Sequence, residues 1–187
     1  MRFRHLIVLL FVVSLSACKK PVPPPESGGD TYFSLIDFVQ DEYKTFHGQP
    51  FSFHKIITLN GKTDSAFVKG DNMDWGELLK IFFAADISDS KYLGRYTFNS
   101  FEDNTTHTRV LYYEANEEAL FTRRLQIVVD PYTDRILSIY IETSKSSMWN
   151  SLSQKLFYSP LKVIQVQEYE KSTPGSAKEL KMEYRFL

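Results

Sequence analysis

The sequence predicts an α+β fold in which two helices from the first half of the chain pack on a large curved antiparallel β-sheet. Three observations support this prediction. Apolar residues recur at three- and four-residue steps in two early segments, as in amphipathic helices. After about residue 90 the apolar period changes to two, as in half-buried strands. Short, turn-rich links separate the later segments, which favours an antiparallel meander.

The first helix is expected between Asp30 and Gly48. Asp30 or Thr31 is expected to cap its start, and Gly48 with Pro50 to end it. Its apolar stripe consists of residues that share one helical face, namely Tyr32, Leu35, Ile36, Val39, Tyr43 and Phe46.

A β-hairpin is expected next, with strands over residues 51–59 and 62–69. Asn60 and Gly61 separate the two strands. Both residue types tolerate the positive φ angles of a type I′ turn, so a two-residue turn is predicted here.

The second helix is expected after the hairpin, with Asp71 or Asn72 as its cap. Asp86 and Asp89 follow it, but this stretch lacks the alternating oxygen ligands and central glycine of an EF-hand, so a loop is predicted. The apolar stripe of the helix consists of Trp75, Leu78, Leu79, Phe82 and Phe83.

Six further strands are predicted over residues 92–101, 108–114, 120–130, 135–143, 161–170 and 178–187. In the last of them Leu180 and Met182 alternate with Lys181 and Glu183, which predicts one buried and one solvent-facing side.

Residues 144–159 fit two structures equally well. The spacing of Met148, Leu152 and Leu156 is compatible with a short helix, whereas the serine content is compatible with an irregular or edge strand. Both alternatives stay open from the sequence.

The composition argues against several functional classes. The 187 residues include 22 basic and 23 acidic side chains without a basic block, so nucleic acid is not an expected partner. The single cysteine allows no intrachain disulfide and no cysteine-rich metal cluster. The histidines lack the spacing of a metal-binding helix, and no G-x-S-x-G elbow is present. No metal, no cofactor and no enzymatic activity are therefore predicted; a hydrolase assembled from distant residues remains the second alternative.

Aromatic residues are abundant, with 15 Phe, 11 Tyr and 2 Trp. Most are expected in the core, because strands favour aromatic side chains. Tyr112 and Tyr113 are adjacent, however, so they must point to opposite faces of their strand. The alternative is a cleft for an apolar or carbohydrate ligand. Its candidate lining residues are Tyr96, Phe98, Tyr112, Tyr113, Tyr140, Trp149, Phe157 and Tyr158.

The N-terminus is typical of an export signal. Arg2 and Arg4 give a positive start, and residues 6–15 form an apolar run broken only by Ser14. This run is far shorter than the roughly 20 residues that a membrane-spanning helix needs.

The apolar run ends in Leu15, Ser16, Ala17 and Cys18, which resembles the lipobox of bacterial lipoproteins. The resemblance implies that residues 1–17 are a signal peptide cleaved before Cys18. It also implies that the Cys18 thiol carries a diacylglycerol and that the new amino group carries a fatty acid such as palmitate.

Residues 18–30 are predicted to be an acylated tether in front of a single globular domain over residues 31–187. The tether is proline-rich and then glycine-rich, which is typical of a spacer with a stiff and a flexible part. No Asp follows Cys18. By the sorting rule of the lipoprotein family, this favours the outer membrane, with the domain in the periplasm.

The expected function is that of a lipid-anchored cell-envelope protein that acts as a non-enzymatic binding or protein-interaction module. Its partners would be the membrane, through Cys18, and an envelope protein or an apolar ligand. The alternative is a lipid or lipoprotein carrier. The predicted architecture is loosely similar to that of outer-membrane lipoprotein receptors, which combine a lipobox, a similar chain length, an N-terminal helix and a curved sheet. That similarity implies a cavity under the sheet.

Replacing Cys18 by Ala is expected to move the protein from the membrane to the soluble envelope fraction, because the acylation site is lost. Fractionation followed by immunoblotting measures this, with Ser27→Ala as a control that stays membrane-bound. Retention of the Cys18→Ala variant on membranes would contradict the predicted anchor.

Overall fold

The computed structural model describes residues 31–46, 48–73 and 75–187. The predicted signal peptide, the acylation site at Cys18 and the tether lie outside these residues. Within them, two α-helices accompany one nine-stranded antiparallel sheet, so the predicted α+β class is confirmed.

The helices and strands follow one another along the chain with the bounds α1 (Leu35–Phe46), β1 (Ser52–Leu59), β2 (Lys62–Lys69), α2 (Trp75–Ala84), β3 (Tyr96–Asp103), β4 (Thr108–Ala115), β5 (Thr122–Val129), β6 (Ile136–Ser146), β7 (Asn150–Ser159), β8 (Val163–Ser172) and β9 (Lys178–Phe186). Short 3₁₀ turns at Gly70–Asn72 and Ser90–Tyr92 flank α2.

The strand order is β2-β1-β9-β8-β7-β6-β5-β4-β3. Strands β3 to β9 therefore form the predicted meander, each pairing with its neighbours in sequence. The first hairpin joins the sheet at the far side, where β1 pairs antiparallel with β9. This last pairing joins strands that are far apart in the sequence, and no local turn signal predicts it.

The turn between β1 and β2 has the predicted conformation. Asn60 and Gly61 have φ angles of 48° and 81°, and Leu59 pairs with Lys62 directly across the turn. Strand β2 ends the sheet and is largely exposed. The Asp64 carboxylate there accepts a hydrogen bond from the Ser65 backbone N–H at 2.8 Å.

The ambiguous segment, residues 144–159, is extended. It contains the end of β6 and all of β7, so the extended alternative is confirmed and the helix alternative is wrong. The expectation of an irregular or edge strand is also wrong, because β7 pairs with a neighbour on each side in the middle of the sheet. Met148 lies in the intervening turn and is 84% exposed. Leu152 and Leu156 share a face in either structure, because a spacing of four residues keeps the same side of a strand as well as of a helix.

A distant carboxylate caps helix α1. The helix begins at Leu35, later than predicted, and the Asp86 carboxylate accepts hydrogen bonds from the backbone N–H groups of Leu35 at 2.7 Å and Ile36 at 3.4 Å. The Ser34 hydroxyl accepts a further one from Asp37 at 3.1 Å. The prediction of Thr31 as cap is therefore wrong, and Asp30 lies outside the described residues.

The starts of α2 and β3 also differ from the prediction. Asp71 and Asn72 do not cap α2 but lie in the 3₁₀ turn before it. Strand β3 begins at Tyr96 instead of residue 92, because the second 3₁₀ turn and Gly94, with a φ angle of 75°, precede it.

Tyr32 attaches the first described residues to the sheet. Its hydroxyl accepts a hydrogen bond from the Gly94 backbone N–H at 2.9 Å and donates one to the Tyr96 carbonyl at 3.2 Å. Its ring packs edge-on against the rings of Tyr96 and Tyr113.

The core lies between the two helices and the sheet face that they cover. Strand β5 shows the pattern clearly, because Leu125 and Ile127 are fully buried and alternate with partly exposed residues. The largest apolar side chains with almost no exposed surface are Phe53, Leu35, Ile87, Leu125, Ile127, Ile139, Ile141, Leu156, Ile164 and Val166.

Replacing Asp86 by Ala is expected to destabilise the fold by about 1–2 kcal/mol, because it removes the cap of α1. Chemical denaturation measures this free energy of unfolding. Asp89→Ala is the control, since Asp89 is exposed and its carboxylate caps only the short 3₁₀ turn through Lys91 instead of an α-helix. Equal stability losses in the two variants would contradict the assigned role of Asp86.

Candidate ligand groove

The two helices cover the sheet through aromatic contacts. From α1, Phe38 packs edge-on against Tyr158 of β7 at a centroid distance of 5.8 Å. From α2, Phe82 reaches the same ring at 6.3 Å, and Trp75 packs on Phe53 of β1 at 5.7 Å. These contacts hold both helices over one end of the strands.

A groove of about 630 Å³ lies between α2 and the part of the sheet that the helices leave open. Ile81 of α2 forms part of its wall, and Leu152, Leu180 and Met182 contribute an apolar floor. This volume lies in the range of typical small-molecule sites. We call this feature the α2 groove.

A second depression of about 560 Å³ continues the α2 groove beyond the end of the helix. The two share Ala84 and Phe121. Ser144 and Ser146 of β6 line the second depression, so its surface is more polar. The α2 groove is therefore more apolar than the second depression.

A row of polar side chains ends on the floor of the α2 groove, which Gln154 and Glu168 line. Thr143, Gln154 and Glu168 are direct cross-strand neighbours on β6, β7 and β8. The Thr143 hydroxyl donates to Gln154 Oε1 at 3.0 Å, and Gln154 Nε2 donates to Glu168 Oε2 at 2.9 Å. Thr143 and Gln154 are buried, so these hydrogen bonds offset the cost of removing their polar groups from water. We call these three residues the polar row.

The wall of the α2 groove is attached to the sheet where α2 ends. The Thr122 hydroxyl on β5 donates to the carbonyl of Ala85 at 2.8 Å. Tyr96 in turn donates to the Thr122 carbonyl at 2.9 Å. Burial raises the pKa of Tyr96 to about 12. These hydrogen bonds fix the position of the groove wall relative to the sheet.

A small apolar cavity of about 20 Å³ separates the helices from the sheet behind this wall. It is too small for a ligand, since it has room for about one water molecule. Glu42 of α1 lines it and accepts a hydrogen bond from the Tyr158 hydroxyl. Burial raises the pKa of Glu42 above its usual value, although the hydrogen bond from Tyr158 acts in the opposite direction. Burial and the neighbouring Glu42 also raise the pKa of Tyr158.

The eight aromatic residues predicted as ligand candidates do not meet at one place. Register places Tyr96, Phe98, Tyr113 and Tyr158 on the helix-covered face, and Tyr112, Tyr140 and Phe157 on the opposite face. Trp149 lies in the turn between β6 and β7 and is 62% exposed. None of the eight lines the α2 groove.

The opposite faces predicted for Tyr112 and Tyr113 are confirmed by their partners Gln126 and Leu125. Tyr140, on the same face as Tyr112, donates a hydrogen bond to Glu142 at 2.6 Å. Burial and this bond raise the pKa of Tyr140 to about 12. The face away from the helices is thus a polar surface that carries aromatic rings.

The sequence did not single out the residues that do line the α2 groove. The available signal on β7 was a break in the apolar alternation, because Gln154 lies between Leu152 and Leu156 on the inward face. On β8 the inward positions change from apolar to polar at Glu168. Which strands would bring the two together could not be read from that signal.

Within the described parts of the chain, no group of three or more His, Cys, Asp or Glu side chains is placed to hold a metal ion. His54 stacks on Phe67 of the edge strand at 5.0 Å, and His47 lies outside the described residues. No helix among the described residues is long and apolar enough to cross a membrane.

Comparison with known proteins finds no match for the chain among protein-family models, curated proteins or solved structures.

Replacing Glu42 by Gln is expected to stabilise the fold at about pH 8 and to lose this advantage toward about pH 4. A carboxyl with a raised pKa in the folded state stabilises the protein while it is protonated and loses that contribution as the pH rises. The amide keeps the hydrogen bond to Tyr158 and carries no charge at either pH. Thermal unfolding across this pH range measures the difference. Asp41→Asn on the exposed side of α1 is the control. A stability gap that widens in acid would contradict this assignment.

Proposed function

We propose that the chain is a lipid-anchored protein of the bacterial cell envelope whose folded part is a non-enzymatic binding module. The single observation that supports binding is the α2 groove, an open site of about 630 Å³ with an apolar floor and a row of fixed polar groups. Such a combination of apolar surface and few oriented polar groups is typical of ligand sites.

The groups that line the groove favour binding over catalysis. The described lining residues of the α2 groove and its continuation include no histidine or cysteine. The two serines, Ser144 and Ser146, lie at the polar continuation, with Lys145 and Glu118 as the nearby charged lining residues. Nucleophilic catalysis requires a nucleophile hydrogen-bonded to a base, and the hydrogen bonds within the described part of the chain include no such pair at these serines.

The anchor is proposed from the sequence. Cys18 occupies the acylation position of the lipobox, and acyl chains supply membrane affinity of about 0.8 kcal/mol for each buried methylene group. The proline-rich residues that follow would hold the folded part away from the bilayer. In this proposal the protein sits on the outer membrane with the groove in the periplasm.

A second candidate function is that of a lipid or lipoprotein carrier. The apolar side chains of Leu152, Leu180 and Met182 on the groove floor favour it, because they would contact a hydrocarbon chain. A carrier has to release its ligand to a second membrane, whereas a binding module does not. Transfer of a labelled lipid between two vesicle populations therefore discriminates the two.

Blocking the α2 groove is expected to weaken ligand binding about tenfold or more. Ala84 is exposed and lines both parts of the groove, so Ala84→Trp would fill the passage between them. Titration with the neutral dye N-phenyl-1-naphthylamine measures binding. The full-length chain carrying Cys18→Ala allows the titration to be done without detergent.

Gln40→Trp provides the control, because Gln40 is exposed on α1 and does not line the groove. This variant is expected to bind the dye as the parent does. Absence of dye binding in the parent, or equal binding by the Ala84→Trp variant, would overturn the groove as the binding site.

A further inference from the structure

The carboxylate of Glu168 lies on the floor of the α2 groove. Its Oε2 atom accepts a hydrogen bond from Gln154, which is itself held by Thr143. Among the described residues, no hydrogen bond or ion pair is recorded for its Oε1 atom. One carboxylate oxygen therefore remains as an acceptor in an otherwise largely apolar floor.

The polar row is oriented in one direction. Thr143 donates a hydrogen bond to Gln154, and Gln154 donates one to Glu168. Glu168 is therefore the final acceptor of the row. Gln154 is only 9% exposed, and its amide is held by a hydrogen bond on each side. The row therefore holds the Glu168 carboxylate in place before any ligand arrives.

Both apolar and charged side chains surround Glu168. Its direct neighbour on β9 is Leu180, whereas Glu170 lies two residues further on the same face of β8 and pairs with Leu152 of β7 and Lys178 of β9. Met182 and Ile81 continue the apolar lining of the groove. A hydrocarbon chain placed along these side chains would remove apolar surface from water on both partners.

The groove is also lined by the charged side chains of Lys55, Glu77 and Lys80. Lys80 pairs with Glu77 on α2. The Lys55 ammonium lies over the Tyr184 ring at 5.3 Å. Lys55 pairs with Tyr184 of β9, and Glu168 pairs with Leu180 of the same strand. These two positions on β9 are four residues apart, which corresponds to about 13 Å along the strand. Lys145 and Glu118 line the polar continuation beyond α2.

We propose that the α2 groove takes a single-chain amphiphile whose head group donates hydrogen bonds and carries no negative charge, such as a primary amine, an amide or an alcohol. The head group donates to Glu168, and the hydrocarbon chain lies along Leu180, Met182 and Ile81. This proposal rests on the proposed binding function. It adds that an anionic head group is disfavoured, because it would lie beside the Glu168 carboxylate and like charges repel each other.

Competition with the bound dye tests this selectivity. Dodecylamine, dodecanamide and dodecanoate have chains of equal length, and at about pH 7.5 the amine is cationic, the amide neutral and the acid anionic. Each is added to the full-length Cys18→Ala chain below its critical micelle concentration. The amine is expected to displace the dye at concentrations about tenfold or more below those of dodecanoate, with the amide between them.

Glu168→Gln in the same background is expected to remove most of the preference for the amine while dye binding is kept. Glu183→Gln is a control for loss of a sheet carboxylate, because Glu183 accepts a similar hydrogen bond from Gln165 at 2.8 Å on the opposite face of the sheet and pairs with Arg185. This control is expected to keep the full preference.

Three outcomes would overturn the proposal. Dodecanoate could bind as tightly as the amine, which would place the head group at Lys55. The preference could persist in the Glu168→Gln variant. All three amphiphiles could fail to displace a dye that does bind, which would leave the groove as a binding site for another class of molecule, such as a peptide segment. Failure of the dye itself to bind would instead overturn the proposed function.

Discussion

Two short helices cover one face of a nine-stranded sheet that is much wider than either helix is long. The rest of the structure depends on this difference in size. Nine strands spaced about 4.8 Å apart span about 38 Å. Helices of 12 and 10 residues are only about 18 and 15 Å long. The helices therefore bury part of the inward face and leave another part beside α2 open as a groove.

The loop between α2 and β3 holds this incomplete cover in place. Asp86 in the loop caps α1, and the carbonyl of Ala85 accepts a hydrogen bond from Thr122 on β5. One loop thus connects both helices and the sheet through polar contacts. These contacts are directional, whereas the packing of Phe38 and Phe82 on Tyr158 alone would allow the helices to slide. The groove stays open because helix α2, which forms its wall, is fixed to the sheet at its C-terminal end.

The sequence predicted local features well and long-range ones poorly. Alternation along residues 178–187 and the Asn60–Gly61 turn depend on neighbouring residues, and both were predicted. The pairing of β1 with β9 depends on residues more than a hundred positions apart, and no pattern specifies it. The α2 groove depends on that pairing as well, because its floor combines residues from β1, β7, β8 and β9. From the sequence, Gln154 and Glu168 could be identified only as polar residues at inward-facing strand positions, and their contact could not be predicted.

Tyr32 also determines how the sheet responds to a mechanical pull from the segment that precedes residue 31. Its hydroxyl is held by Gly94 and Tyr96, so tension along the chain reaches the sheet at the start of β3. Strand β3 is an edge strand with a single partner. The two hydrogen bonds of Tyr32 would therefore be loaded first, at the opposite end of the strand order from β1 and β2. They are far fewer than the paired positions of the β3–β4 ladder, so they would break before the sheet itself opens and before the strands on the groove floor are loaded.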